Sequence, residues 1–213
     1  NAGKSTLLNA LSGAQVRAED KLFATLDPTT RRVVLPEGQE VLFTDTVGFI
    51  QKLPTDLVAA FRATLEEIQT ADLLLHVVDI SHPMADGQME AVEQVLESLN
   101  LSDKPMLMAW NKMDLLSPER RDLFRQEAAR YGDSVLVSAA TGENIDRLLP
   151  AVERALREQM VEINVRIPYG RGELVNLIHE RGQVEEEAHD PDGTRLRAFV
   201  PPYLAGRLRT FAD

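Results

Sequence analysis

The chain has 213 residues, of which 44% are hydrophobic and 27% are charged, and this length suits one medium-sized domain followed by a small one. It contains no cysteine, which excludes disulfides and thiolate metal sites and fits a reducing compartment. The net charge of −11 gives no general attraction to nucleic acid or anionic membranes, and no apolar run approaches the ~20 residues that span a bilayer.

Helical and extended patterns alternate over the first three quarters of the chain. In chain order we predict a helix at Ser5–Ser12, a polar loop at Lys21–Arg31, hairpin strands at Arg32–Leu35 and Val41–Thr44, a helix at Thr55–Thr70 and a strand at Asp72–Asp79. There follow a helix at Met84–Leu99, a strand at Pro105–Trp110, a helix at Ser117–Tyr131, a strand at Ser134–Ser138 and a helix at Asn144–Gln159. This alternation predicts an α/β fold with a parallel, doubly wound sheet over residues 1–160.

The pattern changes at Val161. We predict a strand at Glu162–Ile167, a helix at Gly172–Arg181, hairpin strands at Gln183–Ala188 and Arg195–Val200 around the turn His189–Gly193, and a last helix at Pro202–Phe211. Residues 161–213 therefore form a second, small α+β domain in this prediction.

The chain opens inside a phosphate-loop pattern. That pattern is G-x-x-x-x-G-K-[ST], and Asn1-Ala2-Gly3-Lys4-Ser5 supplies only its second half, so we expect the chain to be a fragment preceded by the first glycine and a buried strand. Backbone N–H groups and the dipole at a helix start favour phosphate. Lys4 would then neutralise the β and γ phosphates, and the Ser5 hydroxyl would bind Mg²⁺. The alternative is a capped helix that contains these residues by chance.

A second motif, Asp45-Thr46-Val47-Gly48, ends a predicted strand. An acid at that point can hold Mg²⁺ through water, and the N–H of Gly48 can reach a γ-phosphate. The alternative is an ordinary strand end followed by a turn. One hydroxyl of Thr25, Thr29 or Thr30, in the preceding loop, can complete the Mg²⁺ shell.

The third motif, Asn111-Lys112-Met113-Asp114, follows another buried strand and discriminates best. The Asp114 carboxylate can accept from both N1–H and the 2-amino group of guanine, whereas adenine offers neither donor. The Lys112 stem would cover the base, and Asn111 would tie the loop down. Ser138-Ala139-Ala140 ends the next strand, where the Ala139 N–H can reach guanine O6. All these motifs fall at the carboxyl ends of strands, where open α/β sheets bind ligands.

With these motifs in place, the chain resembles the HflX family of ribosome-associated GTPases over its whole length. The resemblance is carried by Phe23-Ala24-Thr25-Leu26-Asp27-Pro28-Thr29-Thr30-Arg31 together with Asp45-Thr46-Val47-Gly48-Phe49-Ile50. It implies a Ras-like sheet with one antiparallel edge strand, a central first strand and a further domain lying before residue 1, and Thr25 as the switch threonine that binds magnesium. Because that strand would be missing, we expect residues 1–213 alone to melt in urea at a lower midpoint than an intact domain of this type.

The resemblance also implies an activity: binding and hydrolysis of GTP to GDP, coupled to the large ribosomal subunit, with splitting or rescue of stalled ribosomes. We expect a cytoplasmic protein without a membrane span that is a monomer. Phe49 stands where many GTPases have the Gln that orients the attacking water, so intrinsic hydrolysis should be slow and partner-stimulated. Asn1 matches a related group of GTPases that use K⁺ beside the phosphates, and we hypothesise that Asn1 ligates K⁺.

The candidate site residues fall into three roles. The catalytic candidates are Lys4, Thr25 and Gly48, and the metal ligands are Ser5, Thr25 and Asp45. The nucleotide-contacting candidates are Asn1, Ala2, Gly3, Lys4, Ser5, Thr6, Phe23, Ala24, Thr25, Leu26, Asp27, Asp45, Thr46, Val47, Gly48, Asn111, Lys112, Met113, Asp114, Ser138, Ala139 and Ala140.

Two other functions stay open. One is a GTPase of tRNA modification or ribosome assembly, against which the Phe23–Pro28 stretch speaks. The other is a GTP-dependent binding module that barely hydrolyses, which the absent Gln permits. An ATP-using kinase is disfavoured by Asp114, and His76 is interpreted as a residue of the sheet core rather than a base.

Overall fold

The computed structural model describes residues 1–13, 29–46, 68–128 and 132–212. Within them the chain divides into two compact units, Asn1–Ala155 and Leu156–Asp213. The predictions at Phe23, Ala24, Thr25, Leu26, Asp27, Val47, Gly48 and Phe49 lie outside the described residues, as does most of the predicted helix at Thr55–Thr70. Residues 68–70, its predicted end, are helical.

The first unit contains the predicted alternation of helices and strands. Its elements are α1 (Lys4–Ser12), β1 (Thr29–Val34), β2 (Glu40–Asp45), β3 (Leu74–Asp79), α2 (Ala85–Ser98), β4 (Met106–Asn111), α3 (Pro118–Ala128), β5 (Ser134–Leu136) and most of α4 (Ile145–Glu158), whose last turn falls in the second unit. The strands β3, β4 and β5 form a parallel sheet in that order, and Asp79 and Asn111 are paired at its carboxyl edge. This parallel sheet confirms the α/β prediction. Its strands are apolar along most of their length because strands such as β4 are buried on both faces.

The hairpin of β1 and β2 is longer than predicted. Its register begins at Thr29 opposite Asp45, so residues 29–31, predicted as loop, belong to the strand. The hydroxyls of Thr30 and Thr44 lie 3.0 Å apart across the two strands, and β-branched residues favour this extended pairing. The prediction of a loop at these positions was wrong because it weighed their polarity above their branching.

The hairpin and the parallel sheet are separate sheets in the described part of the chain. A cavity of about 80 Å³, open to solvent, is lined by α1 residues Lys4, Leu7, Leu8 and Leu11 and by parts of β2 and β3.

The second unit is an antiparallel sheet with helices on one face. It consists of β6 (Val161–Ile167), α5 (Gly172–Arg181), β7 (Gln183–Asp190), β8 (Gly193–Val200) and α6 (Pro202–Leu208), with strand order β6-β8-β7. Alternate strand residues and both helices supply one apolar core: Val165, Ile167, Leu174, Ile178, Leu196, Ala198, Val200, Leu204 and Leu208.

The turn of the second hairpin is tighter than predicted, because β7 continues to Asp190 and β8 begins at Gly193. Gly193 has φ +156 and lies so close to β6 that a Cβ would overlap the carbonyl oxygen of Ile167. Only glycine fits at this position. Gly193 is the first residue of β8 and not part of the turn. None of the helices in the described ranges is long and apolar enough to cross a membrane.

Candidate nucleotide-binding site

The helix α1 begins at Lys4, directly after Gly3, and has no side-chain cap within the residues that the structure describes. Gly3 precedes the helix with φ +92, and Leu7 N donates to Gly3 O at 2.9 Å. Leu7, Leu8 and Leu11 are buried beneath the helix and fix its direction. Lys4, Ser5 and Thr6 are half-buried in the first turn, and Asn1 is exposed. A helix start of this kind offers free N–H donors and a partial positive charge to an anion.

Two predicted metal ligands meet beside this helix. The Ser5 hydroxyl donates to the Asp45 carboxylate with Oγ and Oδ2 2.5 Å apart, and Asp45 is buried at the end of β2. Thr46 follows it, and Lys4, Asp45 and Thr46 line the same cavity. One hydroxyl and one carboxylate suit Mg²⁺, which takes few protein oxygens and keeps waters and phosphate oxygens. No group of three or more acidic or histidine side chains that could hold a metal occurs in the residues described.

Asn111 joins three of the predicted motifs. Its side chain is buried, its Nδ2 donates to Ala2 O at 2.8 Å, and its Oδ1 accepts from Ala139 N at 2.9 Å. A Cβ on Gly3 would overlap the same Nδ2 atom. One amide therefore holds together the phosphate loop (residues 1–5), the guanine loop (residues 111–114) and the Ser138-Ala139-Ala140 segment. This is the kind of tie that was predicted for Asn111.

One carboxylate oxygen of Asp114, Oδ1, is buried and has no partner in the part of the chain that the structure describes. Met113, the residue before it, is fully buried, and its N–H donates to Val137 O at 3.2 Å, so the loop is pinned to the sheet. A buried acceptor left unpaired costs about 1–3 kcal/mol. Two adjacent N–H donors of a bound base would remove that cost.

Lys112 is held by a residue that the sequence analysis did not single out. Lys112 has φ +66, and its Nζ lies 2.6 Å from Asp79 Oδ2. The same carboxylate accepts from Ser81 N at 3.0 Å and from Ser81 Oγ at 2.6 Å. Burial alone would raise the pKa of Asp79, but Lys112 and Ser81 hold it below its usual value. The predicted cover of the base by the Lys112 stem stays a prediction.

The Ser138-Ala139-Ala140 segment differs in one atom from the prediction. The N–H of Ala139 was expected to meet guanine O6, but it is donated to Asn111 Oδ1. Ser138 is buried and shapes the turn, since its Oγ accepts from Thr141 N at 3.1 Å. The N–H of Ala140 donates no hydrogen bond in the structure as described, and it is the donor that this segment leaves for a ligand.

Sequence reasoning missed two side chains that hold the guanine loop. Asp79 had a usable signal, because it ends a buried strand at the edge where the motifs meet. Arg121 had none, because an arginine in a polar helix is normally solvated; here it reaches the main chain of Asp114 and Leu116.

Comparison with known proteins gives two family matches. A family model described as 50S ribosome-binding GTPase matches residues 1–112, and one described as HflX C-terminal domain matches residues 123–198, across the division between the two units. The chain is 47% identical to "GTPase HflX" of Caldanaerobacter subterraneus subsp. tengcongensis over 99% of its own length and 47% of that protein. It is 41% identical to "GTPase HflX" of Escherichia coli K12 over 91% of its own length and 45% of that protein.

The chain therefore spans about half the length of the curated relatives that it matches. Among solved structures, Era of Aquifex aeolicus bound to GDP and aluminium fluoride superposes with a TM-score of 0.62 at 21% identity, covering 90% of this chain and 71% of that one. At this identity the likeness shows the fold alone.

Proposed function

The chain belongs to the HflX family of GTPases, and from that premise we propose that it binds GTP, hydrolyses it to GDP with Mg²⁺ and acts on the large ribosomal subunit. We place it in the cytoplasm as a monomer. Ribosome splitting or rescue is the proposed outcome of that cycle.

The observation that carries the proposal is that Asn111 and Asp114, in one loop, have complementary roles. Asn111 links the guanine loop to the phosphate loop by one hydrogen bond, which its Nδ2 donates to Ala2 O at 2.8 Å. Asp114 then presents a buried acceptor, Oδ1, that has no partner among the residues the structure describes. One guanine nucleotide satisfies both ends, because its phosphates meet the start of α1 and its N1–H and 2-amino group meet Asp114.

The residues of this chain would divide the work as follows. Lys4 and the N–H groups at the start of α1 bind the β and γ phosphates, with Thr46 beside them. Ser5 and Asp45, and Thr25 outside the described residues, would hold Mg²⁺, which when bound neutralises charge on the phosphate oxygens. Gly48, also outside them, would sense the γ-phosphate. Phe49 has no polar atom to orient water, so intrinsic hydrolysis would be slow and a partner would stimulate it.

The ribosome is proposed from the family. The matching model is described as a 50S ribosome-binding GTPase, and Era has been solved with a segment of 16S ribosomal RNA. The experiment measures single-turnover GTP hydrolysis by the full-length protein with and without purified 50S subunits, together with pelleting in GDP or a non-hydrolysable GTP analogue. We expect faster hydrolysis with 50S and pelleting that favours the analogue.

The same experiment separates the alternatives. A Lys4→Ala variant is the control, because it should lose both nucleotide-dependent responses. Analogue-dependent pelleting without hydrolysis would favour a binding module. Pelleting with assembly intermediates but not with mature 50S would favour a GTPase of ribosome assembly. Neither hydrolysis nor pelleting would contradict the proposal.

We also propose that Asn1 ligates K⁺ beside the phosphates. Asn1 precedes the helix start that would hold them, and an amide oxygen is a suitable ligand for a hard cation. Equal hydrolysis rates in K⁺ and Na⁺ would remove this idea.

A further inference from the structure

The helix α3 is anchored so that one of its arginines faces the guanine loop. Ser117 precedes the helix, where its Oγ accepts from Arg120 N at 3.4 Å. One face then packs on the sheet, since the Phe124 ring meets Trp110 edge to face at 5.2 Å. Arg121 lies about one turn before Phe124, and its position is therefore fixed by the core rather than by solvent.

In the described part of the chain, the Arg121 side chain contacts the turn that follows Asn111 and the loop that follows Ser138. Its Nε donates to Leu116 O at 3.1 Å and its Nη2 donates to Asp114 O at 3.2 Å. Its Nη1 lies 3.5 Å from Glu143 Oε2, and its side chain is only 25% exposed. The main chain of Glu143 accepts from Ser138 N at 3.0 Å, so the ion pair reaches the second loop.

These contacts provide donors for two main-chain carbonyls, those of Asp114 and Leu116, that the 3₁₀ turn does not use. The 3₁₀ turn Met113–Leu115 uses the carbonyls of Lys112 and Met113 for its own hydrogen bonds. The Asp114 and Leu116 carbonyls come later, at the carboxyl end of the turn, where a cation is favourable. The planar guanidinium bonds both at once, a geometry that an ammonium cannot reproduce.

The choice of atoms matters for recognition. Arg121 bonds the main-chain oxygen of Asp114, and the buried Oδ1 of that residue keeps no partner in the described residues. An arginine bonded to the carboxylate would compete with a base for it. Arg121 fixes the residue and leaves its acceptor for the ligand.

We propose that Arg121 is a positioning residue for guanine selectivity: by bonding the main chain of Asp114 and Leu116 it aligns the Asp114 carboxylate with the two N–H donors of the base. This inference rests on the proposed binding of guanine nucleotide. It assigns no contact between Arg121 and the nucleotide.

The test compares GDP with IDP, which lacks only the 2-amino group. Competition titrations against a fluorescent GDP analogue give the ratio of the two affinities, and this ratio does not depend on the fraction of folded protein. One hydrogen bond from that amino group to a carboxylate makes GDP bind about 10- to 100-fold tighter than IDP. In Arg121→Ala we expect the ratio to fall at least about fivefold, with IDP affinity changed much less than GDP affinity. Arg121→Lys should lie between, because it can satisfy one carbonyl only.

The matched control is Arg125→Ala on the same helix. Arg125 pairs with Asp122 at 2.6 Å, its side chain is 54% exposed, and within the described ranges it makes no contact with the Asn111–Asp114 loop. We expect this variant to keep the wild-type ratio.

The outcomes separate the two proposals. A wild-type ratio near one would contradict recognition of guanine by Asp114. A large wild-type ratio that stays unchanged in Arg121→Ala would overturn the role of Arg121 alone. Equal losses for GDP and IDP would also overturn it, because they would mark a structural role without effect on selectivity.

Discussion

Replacing Gly3 by alanine should uncouple the phosphate loop from the guanine loop. A Cβ at this position would overlap Asn111 Nδ2, and Gly3 has φ +92, which alanine adopts at a cost of about 1–2 kcal/mol. Moving Asn111 aside breaks its bonds to Ala2 and Ala139 and leaves buried groups unpaired, each at about 1–3 kcal/mol. The competent conformation should lose about 3 kcal/mol or more, so GDP affinity should fall at least about 100-fold.

The assay is a fluorescent GDP titration of the variant beside a chemical denaturation curve. Gly13→Ala is the matched control, because Gly13 ends the same helix with φ +65 and has nothing within 4 Å of a built Cβ. Gly13→Ala introduces the same kind of backbone strain without the overlap, and its GDP affinity should stay within about threefold of wild type.

A double variant sharpens the result. Combining Gly3→Ala with Asn111→Ala removes the overlapping atom, so the two losses should not add. Wild-type GDP affinity in Gly3→Ala would refute the reasoning, as would fully additive losses in the double variant.

Three further predictions concern other parts of the molecule. Burial lowers the pKa of His76 from 6.5 to about 4, so the unfolded chain takes up a proton there before the folded protein does, and the free energy of unfolding falls as the pH drops from 6.5 toward 4. Urea titrations should show a loss of about 2 kcal/mol between pH 7 and pH 5 that His76→Gln largely abolishes, and an equal loss in that variant would contradict the prediction. Asp79→Asn removes the 2.6 Å partner of Lys112 and should weaken GDP binding about tenfold in the same titration, whereas unchanged binding would mean that the ion pair does not hold the loop. Gly193→Ala forces a Cβ onto the carbonyl oxygen of Ile167 and should destabilise the second unit by about 3 kcal/mol or more in urea while GDP affinity is kept; a wild-type unfolding midpoint would show that the backbone can shift there.

The elements that the sequence predicts best are those whose signal is local. Apolar runs such as β4 and the helical spacing of α5 need only neighbouring residues, and α5 spans Gly172–Arg181 as predicted. The Asn111–Asp114 motif and the Ser138-Ala139-Ala140 segment could be placed at one edge because β4 and β5 run parallel and end together. The start of β1 at Thr29 was missed, since it depends on the pairing partner across the hairpin.

The finer parts of the site depend on contacts between distant segments. Asn111 was expected to tie its loop, but nothing in the sequence names Ala2 and Ala139 as its partners. The donation of the Ala139 N–H to that side chain, in place of a base, follows from those partners. Arg121 was likewise invisible, because its role arises from the packing of α3 against Trp110.

The central claim is that the Asp114 carboxylate selects guanine, and Asp114→Asn tests it most directly. An asparagine amide offers a donor where the carboxylate accepted, so it should match xanthine, whose 2-position carries a carbonyl oxygen. Titrations of the wild-type chain and the variant with GDP and XDP should show a reversal, with GDP weakened about 100-fold or more and XDP becoming the tighter ligand. Wild-type affinity for GDP in Asp114→Asn, with no gain for XDP, would contradict the account.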